Sequence, residues 1–300
     1  MSGIQAVKNR IKSVQDTGKI TNAMYLISST KLQKARKELD NTRPYFEAFR
    51  RSIKRMFRRT EALSSPYFSE TANFENDPDE TYAVLAITGD KGMAGAYNQN
   101  VIKEAEKLYS EHPKSKFFVI GEFGRKAFVN KGIPFENDFL YTAQRPTLKT
   151  AREITYMLLD LYDRKKISRI YVIYTDMKTP LLEVTNTEMV LPFRKDHFDS
   201  AADEFKNDVV FEFVPSIEEV LRNIAYSYLV GFVYSALVDS FCCEQNARMT
   251  AMRSANDNAK NIGNELQLLY NSMRQSEITN EIIEVSSGAK AQAMHNKKRK

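Results

Sequence analysis

The chain has 300 residues, room for one or two domains, and its 42% hydrophobic content can fill a sizeable core in at least part of that length. The formal charge of +6 hides a segregation: residues 1–60 carry fifteen Lys and Arg against four Asp and Glu, and residues 292–300 add four more cations, so the rest is acidic. No apolar run approaches the ~18 residues of a membrane span, residues 1–10 lack a secretory-signal layout, and the adjacent Cys242 and Cys243 suit neither a mutual disulfide nor a thiolate metal site. The expectation is a soluble protein made without a leader, in a reducing compartment.

In chain order, Ile4, Val7, Ile11 and Val14 open a heptad seam that resumes at Leu32, Ala35 and Leu39 and runs on through Phe46, Phe49, Ile53 and Met56. The positions between, Gly18, Thr21, Tyr25, Ser28 and Thr42, are small or polar. A seam weak in its middle suits a coiled coil that loosens, or that meets another protein there. Pro44 removes one backbone donor and is expected to bend this helix near Asp40. The helix is assigned to 1–62, and the polar, acidic, proline-bearing stretch 63–81 reads as a linker.

The pattern then changes. YAVLAIT at 82–88 is a short apolar strand meeting a turn with Gly89, Gly92 and Gly95, followed by an amphipathic stretch. Strands are expected at 116–121, 167–174, 183–191 and 209–214, and helices at 122–131 and 150–165. Strands alternating with helices predict an α/β domain over 82–214, with a parallel sheet, inserted between two long helices. The glycine spacing G-x-x-G-x-x-G matches neither the dinucleotide fingerprint, which needs two glycines one residue apart, nor a phosphate loop, which needs a lysine and a hydroxyl at the helix start, whereas Lys91 sits between the first two glycines. A tight strand-to-helix turn is the reading of that stretch; catalytic, cofactor and metal residues are assigned to none, and His112, His197 and His295 receive no role.

After Pro215 no proline follows, and Ser216 with Glu219 reads as a capping box. Met252, Ala255, Ala259, Ile262, Leu266, Leu269 and Met273 step by three and four as a second seam. A helix from Ser216 to about Val285 would be roughly 100 Å long and would need a partner helix and then an outer surface. The C-terminal helix is assigned to 215–291 and the basic tail to 292–300. A basic rod points to an acidic partner, nucleic acid or protein.

The segments "ITNAMYLISSTKLQKARKELDNTRPYFEAFR", "TGDKGMAGAYNQN" and "EQNARMTAMRSANDNAKNIGNELQLLYNSMRQSEITNEIIEVSSGA" resemble the gamma subunit of the F-type, rotary, proton-translocating ATP synthase. The resemblance implies an antiparallel, unequal coiled coil of the N- and C-terminal helices with an inserted Rossmann-like α/β domain. It also implies a non-catalytic rotor shaft, standing in a ring of three alpha and three beta subunits and resting on the epsilon subunit and the c-ring. No cofactor and no nucleic acid belong to that role. Ion-driven turning of the c-ring is passed to the three catalytic beta sites, at the cytoplasmic face of a bacterial plasma membrane. Rotor-stator contacts carry over to Met24, Arg248, Arg274, Gln275, Thr279 and Glu281, while Ile278, Ile282, Ile283 and Val285 are expected to turn in an apolar sleeve. The turn departs from the family at Lys91, Met93, Ala94 and Ala96, the cysteine-bearing chloroplast insertion is absent, and the tail QAMHNKKRK is expected to emerge beyond the ring.

Two other readings share parts of this pattern. A basic coiled-coil scaffold or nucleic-acid binder has the same rods, and salt-sensitive DNA or RNA binding would reveal it. A nucleotide-dependent enzyme has the same α/β domain, and calorimetry against ATP and NAD would reveal that.

Overall fold

The computed structural model describes residues 2–59, 67–69, 80–179, 182–194, 214 and 216–297, and a few side chains inside these elements are left aside. In chain order come α1 (Ser2–Arg59), β1 (Phe68–Ser69), β2 (Tyr82–Ile87), α2 (Tyr97–Glu111), β3 (Lys116–Ile120), α3 (Glu122–Lys131), α4 (Leu148–Asp163), β4 (Arg169–Thr179), β5 (Leu182–Leu191), β6 (Phe193–Arg194) and α5 (Ile217–Lys297). They form two compact units, 1–27 with 249–300, and 28–248.

In the first unit the two chain ends pair as antiparallel helices. Gly3 lies against Met273, Gly18 against Asn256 and Ala259, and Gly263 against Val14, so the α5 number falls as the α1 number rises. Ile4, Val7, Ile11, Val14 and Gly18 are half-buried and Thr21 is buried, each among exposed neighbours, as the seam predicts. On α5 the structure corrects the seam. Ile262 and Leu269 are 43% and 47% exposed, and the half-buried positions are Gly263 and Tyr270. Each pair is spaced by seven, so periodicity cannot choose between the rows, and apolarity chose the one without the glycine. Gly263 faces α1 there, its Cβ position 4.0 Å from the Val14 side chain, an ordinary packing distance.

In the second unit the central sheet has the order β3-β2-β4-β5. β2 pairs parallel with β3 and with β4, while β5 returns antiparallel along β4 from Thr179↔Leu182 to Ile170↔Leu191. The parallel expectation thus holds for three strands and fails for 183–191, because no helix intervenes between β4 and β5 and only a crossover can bring the next strand back parallel. Every residue of β2 is buried. Val84, Ala86, Phe117, Val119 and Ile173 pack on one face with Val101 and Ala105 of α2 and Phe128 of α3. Alternation places Leu85, Ile87, Phe118, Ile120, Ile170 and Val172, all buried, on the other face. That double burial explains why the strands read as unbroken apolar runs.

Local chemistry fixes the helix ends. α4 begins at Leu148 rather than Thr150, because the Thr147 side chain accepts a hydrogen bond from the Thr150 N–H. The Glu219 N–H donates to Ser216 Oγ at the start of α5, and α5 continues past Val285 to Lys297. Within 63–81, Tyr67 is buried and β1 pairs with β6 in parallel. The strand expected at 209–214 lies outside the described residues except for Val214, an exposed bend.

α5 also corrects the hydropathy reading, since it holds an 18-residue window with mean hydropathy 1.3, long and apolar enough by composition to cross a membrane. That window is 61% buried inside the structure. Leu229, Val233, Ala236, Leu237 and Val238 are buried core residues of the same helix, and Gly231 lies directly against the Phe46 ring of α1. The apolar content of this stretch is spent on internal packing.

Candidate contact surfaces of the long helices

The glycine turn after β2 is packed shut from several sides. Asn98 Oδ1 accepts from the Gly89 N–H at 2.8 Å, and Asn98 Nδ2 donates to Lys91 O at 3.3 Å. Thr88 Oγ1 donates to Ile120 O and accepts from the Gly124 N–H. Asp90 accepts from the Glu122 N–H, the Ala143 N–H and the Thr142 hydroxyl. Gly121, at φ +95°, sits so close to Thr88 O that a side chain there would collide with backbone.

What closes the turn is α5. The Glu244 carboxyl lies 2.8 Å from where a Gly89 Cβ would stand. Arg248 pairs with Glu244 at 2.5 Å and donates to the carbonyls of Lys91 and Gly92 at 3.3 and 3.4 Å. A carboxylate stands where a phosphate would have to sit, so the glycine stretch is a joint and not an anion cradle. Burial pushes the Glu244 carboxyl above its usual range against the attraction of Arg248. Next to it, the Thr175 N–H donates to Ser240 Oγ, Cys243 Sγ to Thr175 O, and Asn246 Nδ2 to Glu183. Burial lifts the Cys242 thiol to about 12 and the Cys243 thiol higher still. Both are packing residues. Among the described residues no group of His, Cys, Asp and Glu is placed to hold a metal ion.

In the other unit, Arg274, Gln275, Thr279 and Glu281 are exposed on α5, and Thr279 Oγ1 donates back to Gln275 O at 2.8 Å. Helical spacing puts Arg274, Ile278, Glu281 and Val285 in one row and Gln275, Thr279 and Ile282 in the next. Ile278, Ile282, Ile283 and Val285 are 46%, 63%, 55% and 73% exposed. Four of the six sequence-derived contact residues therefore lie exposed on two adjacent rows of α5, mixed with apolar side chains. Met24 is half-buried on α1, beside Tyr25 of the seam. Arg248 is 8% exposed in the second unit, its guanidinium engaged as described. Glu244, its partner, escaped the sequence reading; the i,i+4 spacing of Glu244 and Arg248 was the available signal. Asp90, which ties three segments together, left no signal beyond its place in a turn.

Residues 3–292 match the family model described as ATP synthase. The chain is 40% identical over 297 residues to the ATP synthase gamma chain of Caldanaerobacter subterraneus subsp. tengcongensis, covering 96% of this chain and 99% of that one. It is 37% identical over 296 residues to the same-named chain of Acetivibrio thermocellus, covering 97% and 99%. It is 31% identical to the ATP synthase gamma chain, sodium ion specific, of Acetobacterium woodii, covering 96% and 98%. Among solved structures it superposes on a chain of the Euglena gracilis mitochondrial ATP synthase (OSCP/F1/c-ring) with TM-score 0.68 and 17% identity, over 100% of this chain and 97% of that chain. A chain of the Tetrahymena thermophila central stalk and c-ring matches with TM-score 0.56 and 20% identity, over 79% and 99%. At these identities the structural matches speak for the fold.

Proposed function

The chain belongs to the ATP synthase gamma family, and from that premise we propose how its residues serve the role. It is the central-stalk rotor subunit, non-catalytic itself, which transmits ion-driven rotation of the c-ring to the catalytic sites and carries rotation the other way during hydrolysis. It is part of a membrane-associated complex. In that complex one copy stands within three alpha and three beta subunits and meets epsilon and the c-ring, on the cytoplasmic face of a bacterial plasma membrane.

A shaft biases its surroundings only if its faces differ, since a ligand shifts an equilibrium by its differential affinity for the states. The faces here do differ. α1 is strongly basic, and attraction to acidic partner loops steers without fixing one register. The 274–285 face of α5 mixes apolar side chains with Arg274, Gln275, Thr279 and Glu281, and apolar contact is non-directional, so turning breaks few geometry-specific bonds there. Met24 is assigned to the same contact set on α1.

The observation that carries the reading is the joint in the second unit. Torque entering an α/β domain reaches a helix only if the two cannot slip, and Ser240, Cys243, Glu244, Asn246 and Arg248 of α5 hold β4, β5 and the glycine turn. Arg248, carried over as a rotor-stator contact, is on this account a residue of the joint, because its guanidinium is already engaged. Co-purification of the tagged chain from its native membranes tests the assignment: one copy with three alpha, three beta and an epsilon subunit is expected, with ATP hydrolysis. Recovery alone or with nucleic acid would replace it with the scaffold reading.

A further inference from the structure

Within the second unit a cleft of about 510 Å³ opens between α1, the segment before α4, and α5. Lys31 and Lys34 of α1 line it one helical turn apart, Arg145 lines it from the other side, and Thr147, the N-cap of α4, stands at its edge. Buried Phe241 forms part of its wall. Glu38 is the acidic residue in the lining, and Glu244, which feels the charge of Lys31, is paired with Arg248. Among the described residues none of Lys31, Lys34 and Arg145 has an ion-pair partner. The first turn of α4 contains no acidic residue, so the positive end of that helix adds to the same field.

We propose that this cleft binds a phosphate-class anion carrying more than one phosphate, with inorganic pyrophosphate as its simplest form. The Arg145 guanidinium offers a planar fork to two oxygens of one phosphate, and the two lysines act as point charges on the other. The single carboxylate at the rim leaves the lining net positive. Two phosphates let all three cations be engaged at once, whereas orthophosphate offers a single phosphate to share among them. The cleft is separate from the closed glycine turn, and the proposal is independent of the rotor assignment.

The test is isothermal titration of the full chain with pyrophosphate, orthophosphate and ADP at low ionic strength. One pyrophosphate site is expected, tighter than orthophosphate and weakened by added salt. Lys34→Gln/Arg145→Gln, with unchanged circular dichroism, is expected to lose at least ~10-fold in affinity, the scale of one or two charge-assisted hydrogen bonds. The control Lys103→Gln/Lys107→Gln, exposed on α2, is expected to bind as wild type. Equal binding of ADP and pyrophosphate would assign the site to the diphosphate alone; tighter ADP binding would bring the base onto the Phe241 wall. Absence of binding by wild type, or equal binding by the cleft and control variants, would overturn the proposal. So would a cleft variant that fails to assemble with alpha and beta subunits while wild type binds no pyrophosphate, since the cleft would then belong to a protein partner.

Discussion

Arg248 is a charge buried to 8% exposure that holds three acceptors at once. Removing one partner of a buried pair leaves the other uncompensated, which typically costs 3–5 kcal/mol. Arg248→Ala is therefore expected to lose roughly 3 kcal/mol of stability at neutral pH, read by denaturant unfolding. Glu244→Leu/Arg248→Met is expected to lose less than the single change, because no lone charge remains. The pH dependence has a definite sign. Glu244 has its folded-state value raised by burial, so its contribution to stability is fullest at and below the ordinary carboxylate range near ~4 and is lost as pH rises through the raised value. Arg248→Ala raises that value further and steepens the loss; an unchanged pH slope would show that Glu244 is already free of the guanidinium. Arg248 was visible in the sequence as one of the residues that the family resemblance carries over. Its partner and the carbonyls it holds were not, because Lys91 and Gly92 come together with α5 only through tertiary packing.

Among the elements, the two long helices and the strands were the most legible, since each repeats one period over many residues. The seam of α1 falls where periodicity puts it at the described side chains. The α5 seam was displaced by one residue at two positions, because Ile262 and Leu269 carry a stronger hydrophobic signal than Gly263 and Tyr270, which are the half-buried ones. A close approach that does require glycine is at Gly231, where an added methyl would meet the Phe46 ring. Gly231→Ala is expected to cost about 1–3 kcal/mol, as overpacking does, and the penalty is expected to shrink in a Phe46→Ala background; a double-mutant cycle measures that coupling. The antiparallel direction of β5 could have been inferred from the missing crossover, but the length of β4 ran past the expected boundary and hid the hairpin. At the far end of α5, deletion of residues 292–300 is expected to leave assembly and ATP hydrolysis near wild type, because Ala291 and Gln292 are already exposed; loss of assembly would assign that tail a contact.

For the whole molecule, fold and role were legible chiefly through long motifs, whereas the contact residues were legible only in part. Four of them fall in two adjacent rows on α5, because the spacing of four in Gln275 and Thr279 and of seven in Arg274 and Glu281 aligns each pair automatically. The joint between sheet and rod depends on packing that no local pattern encodes. It is nonetheless what the rotor account requires, since a domain that slipped on its shaft would pass on no rotation. The most direct measurement is therefore single-molecule observation of the chain assembled with alpha and beta subunits, the ring held to a surface and a probe fixed to the exposed Lys107 position as a cysteine. The account predicts that ATP drives the probe around in one direction with three equivalent pauses per turn. Steady ATP hydrolysis with a stationary probe would contradict it.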